Sequence, residues 1–364
     1  MADTSFSTGD ALTQKLWSRK LFREVIKQTD VGKFFGTDSN SLIHIQEDLK
    51  KNAGDRITIG LRMQLVGAGV SGDGTLEGNE EELVRFSDNI FVDQLRHAVR
   101  INGRMSEQRV TYNLRDEGRM GLQDWWTDRI AFSFFNQVCS NLAQTDNRYL
   151  GMQAAITADT AHNFVAGTGF TSGANVMAGL SDTVSDKFQL TIIDNLVAQA
   201  KTLTPQIRPV SVPKVGNVYV MFIHPFQTKD LRITTGTGTW QDIQKAALMG
   251  GQISNNPIFT GALGMYNNVV LHEDSRVPLA TDNSGTAVAN TRAAAFCGAQ
   301  AAGFAIGQGY EMSGGKARMS WEEELFDYGN RYGVAAGMIF GLKKMVFNSL
   351  DFGSIRVGTF AAAP

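Results

Sequence analysis

Residues 56–65, RITIGLRMQL, alternate apolar and polar side chains without a break. Ile57, Ile59, Leu61, Met63 and Leu65 fall on one face of an extended chain; Arg56, Thr58, Gly60, Arg62 and Gln64 fall on the other. That period of two is the mark of a half-buried strand. Extended patterns resume at Val84–Phe86, Ile90–Val92 and Leu95–Ile101. The spacing predicts a long β-hairpin whose tip is residues 66–82. Loops of this length are uncommon inside a compact domain, and a two-stranded ribbon alone leaves its apolar face without a partner. A neighbouring subunit is one way to cover it.

The tip contains a literal G-x-G-x-x-G in Gly67, Gly69 and Gly72. A dinucleotide site needs those glycines to end a strand and open a helix, whose N-terminus then holds the pyrophosphate. Here "DGTLEGNEEEL" follows, with two more glycines, the acids Asp73, Glu77, Glu80, Glu81 and Glu82, and no basic residue. Such a loop repels phosphate. The reading is therefore a flexible acidic tip, its glycines supplying backbone freedom.

Downstream, Val110, Leu114, Leu122, Trp125, Phe132, Phe135, Cys139 and Leu142 form an apolar stripe at helical spacing, which predicts one long helix over about 105–142. Gly118 and Gly121 mark a kink or a close neighbour within it. An amphipathic helix is expected over 11–28, and an irregular segment over 144–185. A helix carrying Leu190, Ile193, Leu196, Val197 and Ala200 is capped by Ser185 or Asp186 and stops before Pro205. "NVYVMFI" (217–223) reads as a buried strand, with Pro225 in the first turn of the next helix, and "TWQDIQKAALM" as another helix. "MYNNVVLHE", "RAAAFCGAQAAGFAIG" and "GVAAGMIFGLKKMVFN" are core segments, and "GSIRVGTF" is a closing strand.

Catalytic, cofactor and metal readings find little. The serine of "GVSGD" lacks the second glycine of a hydrolase elbow. His44, His97, His162, His224 and His272 are scattered and read as structural. No EF-hand spacing organises the loop acids, and "TTGTGTW" reads as a flexible loop. Cys139 and Cys297 read as buried thiols of a reducing compartment. The first ten residues are polar and carry no signal-peptide pattern, and no apolar run reaches the ~18–20 residues that span a bilayer. With 43% hydrophobic and 19% charged residues and a formal net charge of −2, the chain is ordinary for a folded protein and has no bulk attraction to nucleic acid or membrane.

Charge type is more informative than charge balance. Between Asn52 and Asp186 there is no lysine, yet arginines recur at 56, 62, 85, 96, 100, 104, 109, 115, 119, 129 and 148. Arginine pairs bidentately and is favoured at interfaces, where lysine is depleted. The acidic tip and the arginine-rich hairpin and helix therefore suggest heterologous contacts between identical chains, the kind that closes rings. The candidate contact residues are Leu76, Glu77, Glu80, Glu81 and Glu82 at the tip, and Arg96, Arg100, Arg104, Arg109, Arg115 and Arg119 along the hairpin end and helix.

The order of arm, hairpin, long helix, mixed α/β region and return resembles the tailed-bacteriophage major capsid proteins of the Hong Kong 97 fold. "LEGNEEELVRFSDNIFVDQLRHAVRINGRMSEQRV", "DWWTDRI", "VYVMFIHPFQTKDLR" and "NNPIFTGALGMYNNVVLHE" are similar to blocks of a podovirus-type major capsid family. The resemblance implies an α+β fold with an N-terminal arm (1–50), an extended loop lying over an adjacent subunit (51–104), and a peripheral domain with a spine helix (105–185 and about 321–364). The axial domain would be 186–320. It implies hexamers and pentamers of an icosahedral head enclosing double-stranded DNA without sequence specificity, assembled in the bacterial cytoplasm. Portal, scaffolding and decoration proteins are the partners it brings, with no membrane and no enzyme activity. The tip has no lysine, so a loop-lysine cross-link to a neighbour is not expected. An encapsulin-like compartment shell shares the fold and is the alternative; a nucleotide-binding α/β enzyme would need a helix directly after Gly72.

Overall fold

The computed structural model describes residues 30–47, 54–109, 113–172, 175–213, 215–233, 262–307 and 319–364. The helices expected over 11–28 and in "TWQDIQKAALM", and the "TTGTGTW" loop, lie outside these residues. The first strands are β1 (Phe35–Gly36), β2 (Ile43–Gln46), β3 (Arg56–Arg62), β4 (Arg85–Phe91) and β5 (Asp93–Ile101). Helices α1 (Arg104–Arg109) and α2 (Leu114–Val138) follow, then β6 (Asn163–Val165), β7 (Gly169–Phe170) and α3 (Leu190–Thr202). Next come β8 (Val210–Val212), β9 (Gly216–Ile223), α4 (Pro225–Ile233), β10 (Ala262–Tyr266), β11 (Val269–Glu273), β12 (Thr291–Cys297) and β13 (Ala302–Ile306). The chain continues through β14 (Ser320–Phe326), β15 (Arg331–Lys344), β16 (Val346–Phe347), β17 (Leu350–Asp351) and β18 (Ser354–Phe360). The α+β architecture is as expected.

Two sheets organise these elements. A six-stranded sheet runs β1-β2-β13-β15-β14, with β5 pairing β15. An eight-stranded sheet runs β10-β11-β9-β12-β18-β6-β7, with β8 pairing β9. The long helix α2 packs against β15 and β5 and reaches the second sheet through its last turns. Trp126 meets Phe340 of the first sheet (ring centroids 6.0 Å apart), while Phe134 and Phe135 meet Phe222 of the second (5.6 and 5.4 Å). One amphipathic helix thus joins both sheets in a single core.

The eight-stranded sheet has a core on each face, which explains its uniformly apolar strands. Val218, Val220 and Phe222 of β9 face the α2 side. Tyr219, Met221 and Ile223 face a second core built by Phe188, Ile192, Ile193 and Leu196 around α3. The turn between β10 and β11 is Asn267–Asn268, both at positive φ (43° and 60°), as a two-residue hairpin of primed type demands.

The expected helix over 105–142 is two helices. Asn113 has an extended backbone and its side chain accepts from the Arg115 amide at 3.0 Å, so α2 starts there, with Asp116 and Glu117 in its first turn. Its 25 residues span about 37 Å, not the ~57 Å of the expected helix. It ends in a Schellman motif: Ser140 takes φ 51°, its amide donates to the Gln137 carbonyl (3.1 Å), and the Asn141 amide donates to the Asn136 carbonyl (2.9 Å). The α3 cap also differs. Gln189 precedes Leu190, while Ser185 and Asp186 sit in a preceding 3-10 turn. Segment 144–185 is less irregular than expected, because β6 lies parallel to β18 in the large sheet. Buried Gln137 of α2 holds the start of that segment, donating to the carbonyls of Leu150 and Gln153 at 2.5 and 2.9 Å.

The hairpin is β3 and β4, antiparallel, with Ile57 opposite Ile90, Ile59 opposite Asp88 and Leu61 opposite Phe86. Its base rests on its own chain: Ile57 and Ile90 are buried with Ala305, Met345, Phe347 and Phe352. Asp88 occupies an inward slot of this apolar face and is matched by Lys343 of β15, whose ammonium also donates to the Asn89 carbonyl (3.1 Å). The second Asp88 oxygen accepts from the Val346 amide at 3.1 Å. Beside this anchor the hairpin backbone passes so close to β15 that a Cβ at Gly341 would overlap the Phe91 carbonyl oxygen. Gly341→Ala is therefore expected to cost about 3 kcal/mol through forced displacement of the hairpin. Denaturant unfolding of the subunit, with limited proteolysis at residues 63–84, checks this. An unchanged midpoint and cleavage rate would show that the hairpin seat yields freely.

Candidate inter-subunit surface

From the base outward the hairpin loses its cover. Ile90 is fully buried, whereas Leu65, Val66 and Leu76 are 56%, 86% and 61% exposed, and residues 64–85 are all exposed. No helix follows Gly72. The tip is shaped by its own polar groups instead. The Glu81 carboxylate accepts from the amides of Val66 (2.8 Å) and Gly67 (2.7 Å), Glu80 accepts from the Gly78 amide (2.7 Å), and the Asn79 side chain donates to the Thr75 carbonyl (2.9 Å). Gly69, Gly72 and Gly78 take positive φ values of 71°, 61° and 86°, where glycine alone is unstrained. The Gly67 amide, which a dinucleotide site would aim at phosphate, is already filled by a carboxylate of the same loop.

Those two amides hold the Glu81 carboxyl below its usual range. A lowered folded-state pKa means that the loop's ordering is present above the ordinary carboxylate pKa and is lost as pH falls through the lower, folded value. The Val66 and Gly67 amides are expected to keep their hydrogen-exchange protection on acidification through the normal glutamate range and to lose it only below. Protection lost together with that of a Glu81→Gln control would refute the carboxylate's role.

The structure spreads the candidate arginines over two environments. Arg96, Arg100, Arg104 and Arg109 are exposed on β5 and α1, with Arg100 lying over the Phe326 ring at 4.4 Å. Arg115 and Arg119 are half-buried on α2. Arg115 is committed internally: Nε and Nη2 donate to Glu323 Oε1 at 2.9 and 2.6 Å, and Trp321 Nε1 donates to the same oxygen at 2.8 Å. Glu77 and Glu82 stand free in solvent with Leu76, while Glu80 and Glu81 serve the loop's own amides. Tip and arginines are thus separate surfaces of one chain.

Charged residues unforeseen in the sequence lie inside the protein. Lys344 donates to Ser140 Oγ at 2.7 Å and pairs with Asp351 at 2.8 Å, both ends almost fully buried. Burial pushes Lys344 down and Asp351 up, because each charge has lost water. The Asp351 amide donates to Asp159 Oδ2 (2.8 Å), which also meets His162 Nδ1 (2.7 Å). Arg356, on the α2 side of β18, is bound to the Thr281 carbonyl and hydroxyl, and burial pushes it down to about 10. Cys139 and Cys297 are buried and unbridged, and burial pushes the Cys139 thiol up to about 12, where it is inert. The histidines serve structure: His97 stacks on Trp125 (4.5 Å), His272 meets Phe34 edge-on (5.3 Å), and His224 Nδ1 accepts from the Phe226 amide (3.1 Å). Among the described residues no group of His, Cys, Asp and Glu is placed to hold a metal, and no helix is long and apolar enough to cross a membrane.

A family model described as phage capsid protein matches residues 5–363. The chain belongs to that family. This capsid protein is 30% identical over 382 residues to the major capsid protein of Pseudomonas phage KPP25, covering 97% of this chain and 96% of the relative. Its fold matches the capsid of Ralstonia phage GP4 with a TM-score of 0.76 and 33% identity, covering 100% and 99% of the two chains. The capsid asymmetric unit of cyanophage Pam1, at 22% identity, shares the fold over 100% of both chains with a TM-score of 0.70. The capsid protein is a phage major capsid protein of the Hong Kong 97 type, a structural component of the virion that associates with itself to form the shell, and not an enzyme.

Proposed function

We propose that this chain forms hexamers and pentamers of an icosahedral head around double-stranded DNA, each copy laying its hairpin tip on the next. The observation that carries this reading is the split exposure of one hairpin: a base anchored in its own core, and a tip whose leucines and valine have no cover within the chain. The contact residues are Leu76, Glu77 and Glu80–Glu82 on one copy, and arginines from the set Arg96, Arg100, Arg104, Arg109 and Arg119 on the next; Arg115 acts from within its own fold. The six-stranded sheet with α2 is the peripheral domain and the eight-stranded sheet the axial one. On that division β13 goes with the first and β18 with the second, which refines the boundaries read from sequence. Portal, scaffolding and decoration proteins complete the head, which assembles in the bacterial cytoplasm, and DNA is enclosed without sequence recognition.

Electron microscopy of the expressed protein tests this. Closed shells whose surface lattice resolves into six-fold and five-fold clusters, with a hairpin crossing each intersubunit boundary, are the expected result. A monodisperse monomer under all assembly conditions, or shells whose hairpins stay on their own subunit, would refute it.

A further inference from the structure

The chain has a groove between the second half of α2 and residues 275–278, with Phe132, Asn136, Tyr149, Arg276, Val277 and Arg292 among its lining. Its charges are unevenly served. Arg276 is held by Asp128 (2.8 Å) and Asp274 (3.3 Å). Arg129, beside the groove, lies 3.7 Å above the Tyr149 ring and 4.7 Å above that of Trp125. Among the described residues neither Arg129 nor Arg292 forms an ion pair, and Arg129 Nη1 and Arg292 Nε have no hydrogen-bond acceptor. Two half-buried guanidinium groups have therefore lost water without gaining a carboxylate, an arrangement that favours an incoming acid. The groove's aromatic rim is open as well, with Phe132 38% and Tyr149 36% exposed.

We propose that this groove receives the hairpin tip of a second copy. The inference rests on the reading that the tip leaves its own chain, and names the place where it lands. The complementarity is double. The tip offers Asp73, Glu77, Glu80 and Glu82 without one basic residue between 66 and 84, and beside them exposed Val66 and Leu76. The groove offers two unpaired arginines beside exposed aromatic rings, the pairing of residue types that dominates tight interfaces. Duplex DNA is the weaker fit, because Asp128, Asp146 and Asp274 stand at the same rim and would repel a polyanion, whereas a mixed acidic and apolar segment can place its carboxylates on the arginines alone. Burial also depresses Arg292, which a carboxylate arriving from a neighbour would reverse.

The test uses assembled shells of the full chain carrying one of two cysteine pairs, Glu77→Cys with Phe132→Cys, or Glu77→Cys with Arg104→Cys. The native cysteines are buried and do not compete. Mild oxidation of the first pair is expected to give a ladder of linked chains on a non-reducing gel. A ladder from the second pair alone overturns the groove while leaving the tip on its neighbour; no ladder from either overturns both. Should the cysteine variants fail to assemble, Arg292→Glu supplies the second measurement. It is expected to raise the concentration needed for assembly roughly tenfold at an unchanged unfolding midpoint, with recovery on adding Glu77→Arg. Assembly unaffected by Arg292→Glu, with loss of double-stranded DNA binding by the subunit, would instead give the groove to the polyanion.

Discussion

Lys344→Met is expected to lower the unfolding free energy of the subunit by about 3–5 kcal/mol, a large part of the 5–15 kcal/mol or so that holds a typical domain together. The size follows from what is left behind. Lys344 is fully buried, and its ammonium answers Asp351 and the Ser140 hydroxyl. Methionine fills similar volume, so little packing is lost, but the Asp351 carboxylate stays in the interior without its cation. Protonation of Asp351 relieves part of that cost. The pair itself is worth far less than its breakage, since two charges were desolvated to form it. The double variant Lys344→Met with Asp351→Leu should accordingly recover most of the loss. Urea unfolding of unassembled subunits measures all three chains. A single variant that unfolds with the parent, or a double variant no better than the single one, would show that the ion pair does not have this role.

Deletion of residues 68–80 is expected to leave the subunit's unfolding midpoint where it was and to abolish closed shells. Every deleted residue is exposed and none belongs to a core of the described chain. The base stays seated through Ile57, Ile90 and the Asp88–Lys343 pair, and the ends of the cut are already joined by the Glu81 carboxylate on Val66 and Gly67. Shortening a flexible loop changes its closure entropy only slightly. Assembly, by contrast, loses the one segment with exposed apolar side chains and no partner of its own. Sedimentation and electron microscopy decide the matter: normal shells from the shortened chain would show that the tip is dispensable.

Much of this was legible in the chain. The alternation over 56–65 placed the hairpin strand in the right register, because a period of two has one inward face. The apolar run 217–223 showed a strand buried on both faces. The helix ends were hidden for identifiable reasons. The apolar stripe continues across Asn113, so periodicity alone carries the helix past its cap. Ser140 takes the left-handed turn that glycine ordinarily marks, so the stop at Val138 left no glycine to see. Asp88 did leave a trace, being the acid in the inward series Phe86, Asp88, Ile90, and so did the adjacent lysines 343 and 344 inside an apolar stretch. Each signals a buried partner without naming it, since the partners lie far off in sequence or across a tight turn. The glycine motif misled because spacing is local, whereas a phosphate site is defined by the helix that follows and by what already occupies the amides.

The position of β18 has a consequence for how the shell keeps out faulty copies. It is inserted between β12 and β6, antiparallel to one and parallel to the other. A ribosome making this chain delivers β6 and β12 long before residues 354–360, so the large sheet stays in two pieces until that stretch emerges. A polypeptide cut short anywhere upstream of Ser354 keeps raw strand edges where β18 should be, the kind of edge that invites aggregation and turnover. Prematurely terminated copies are thereby discarded as misfolded material, not admitted as lattice defects. Synthesis must pass this late checkpoint before a subunit becomes a building block.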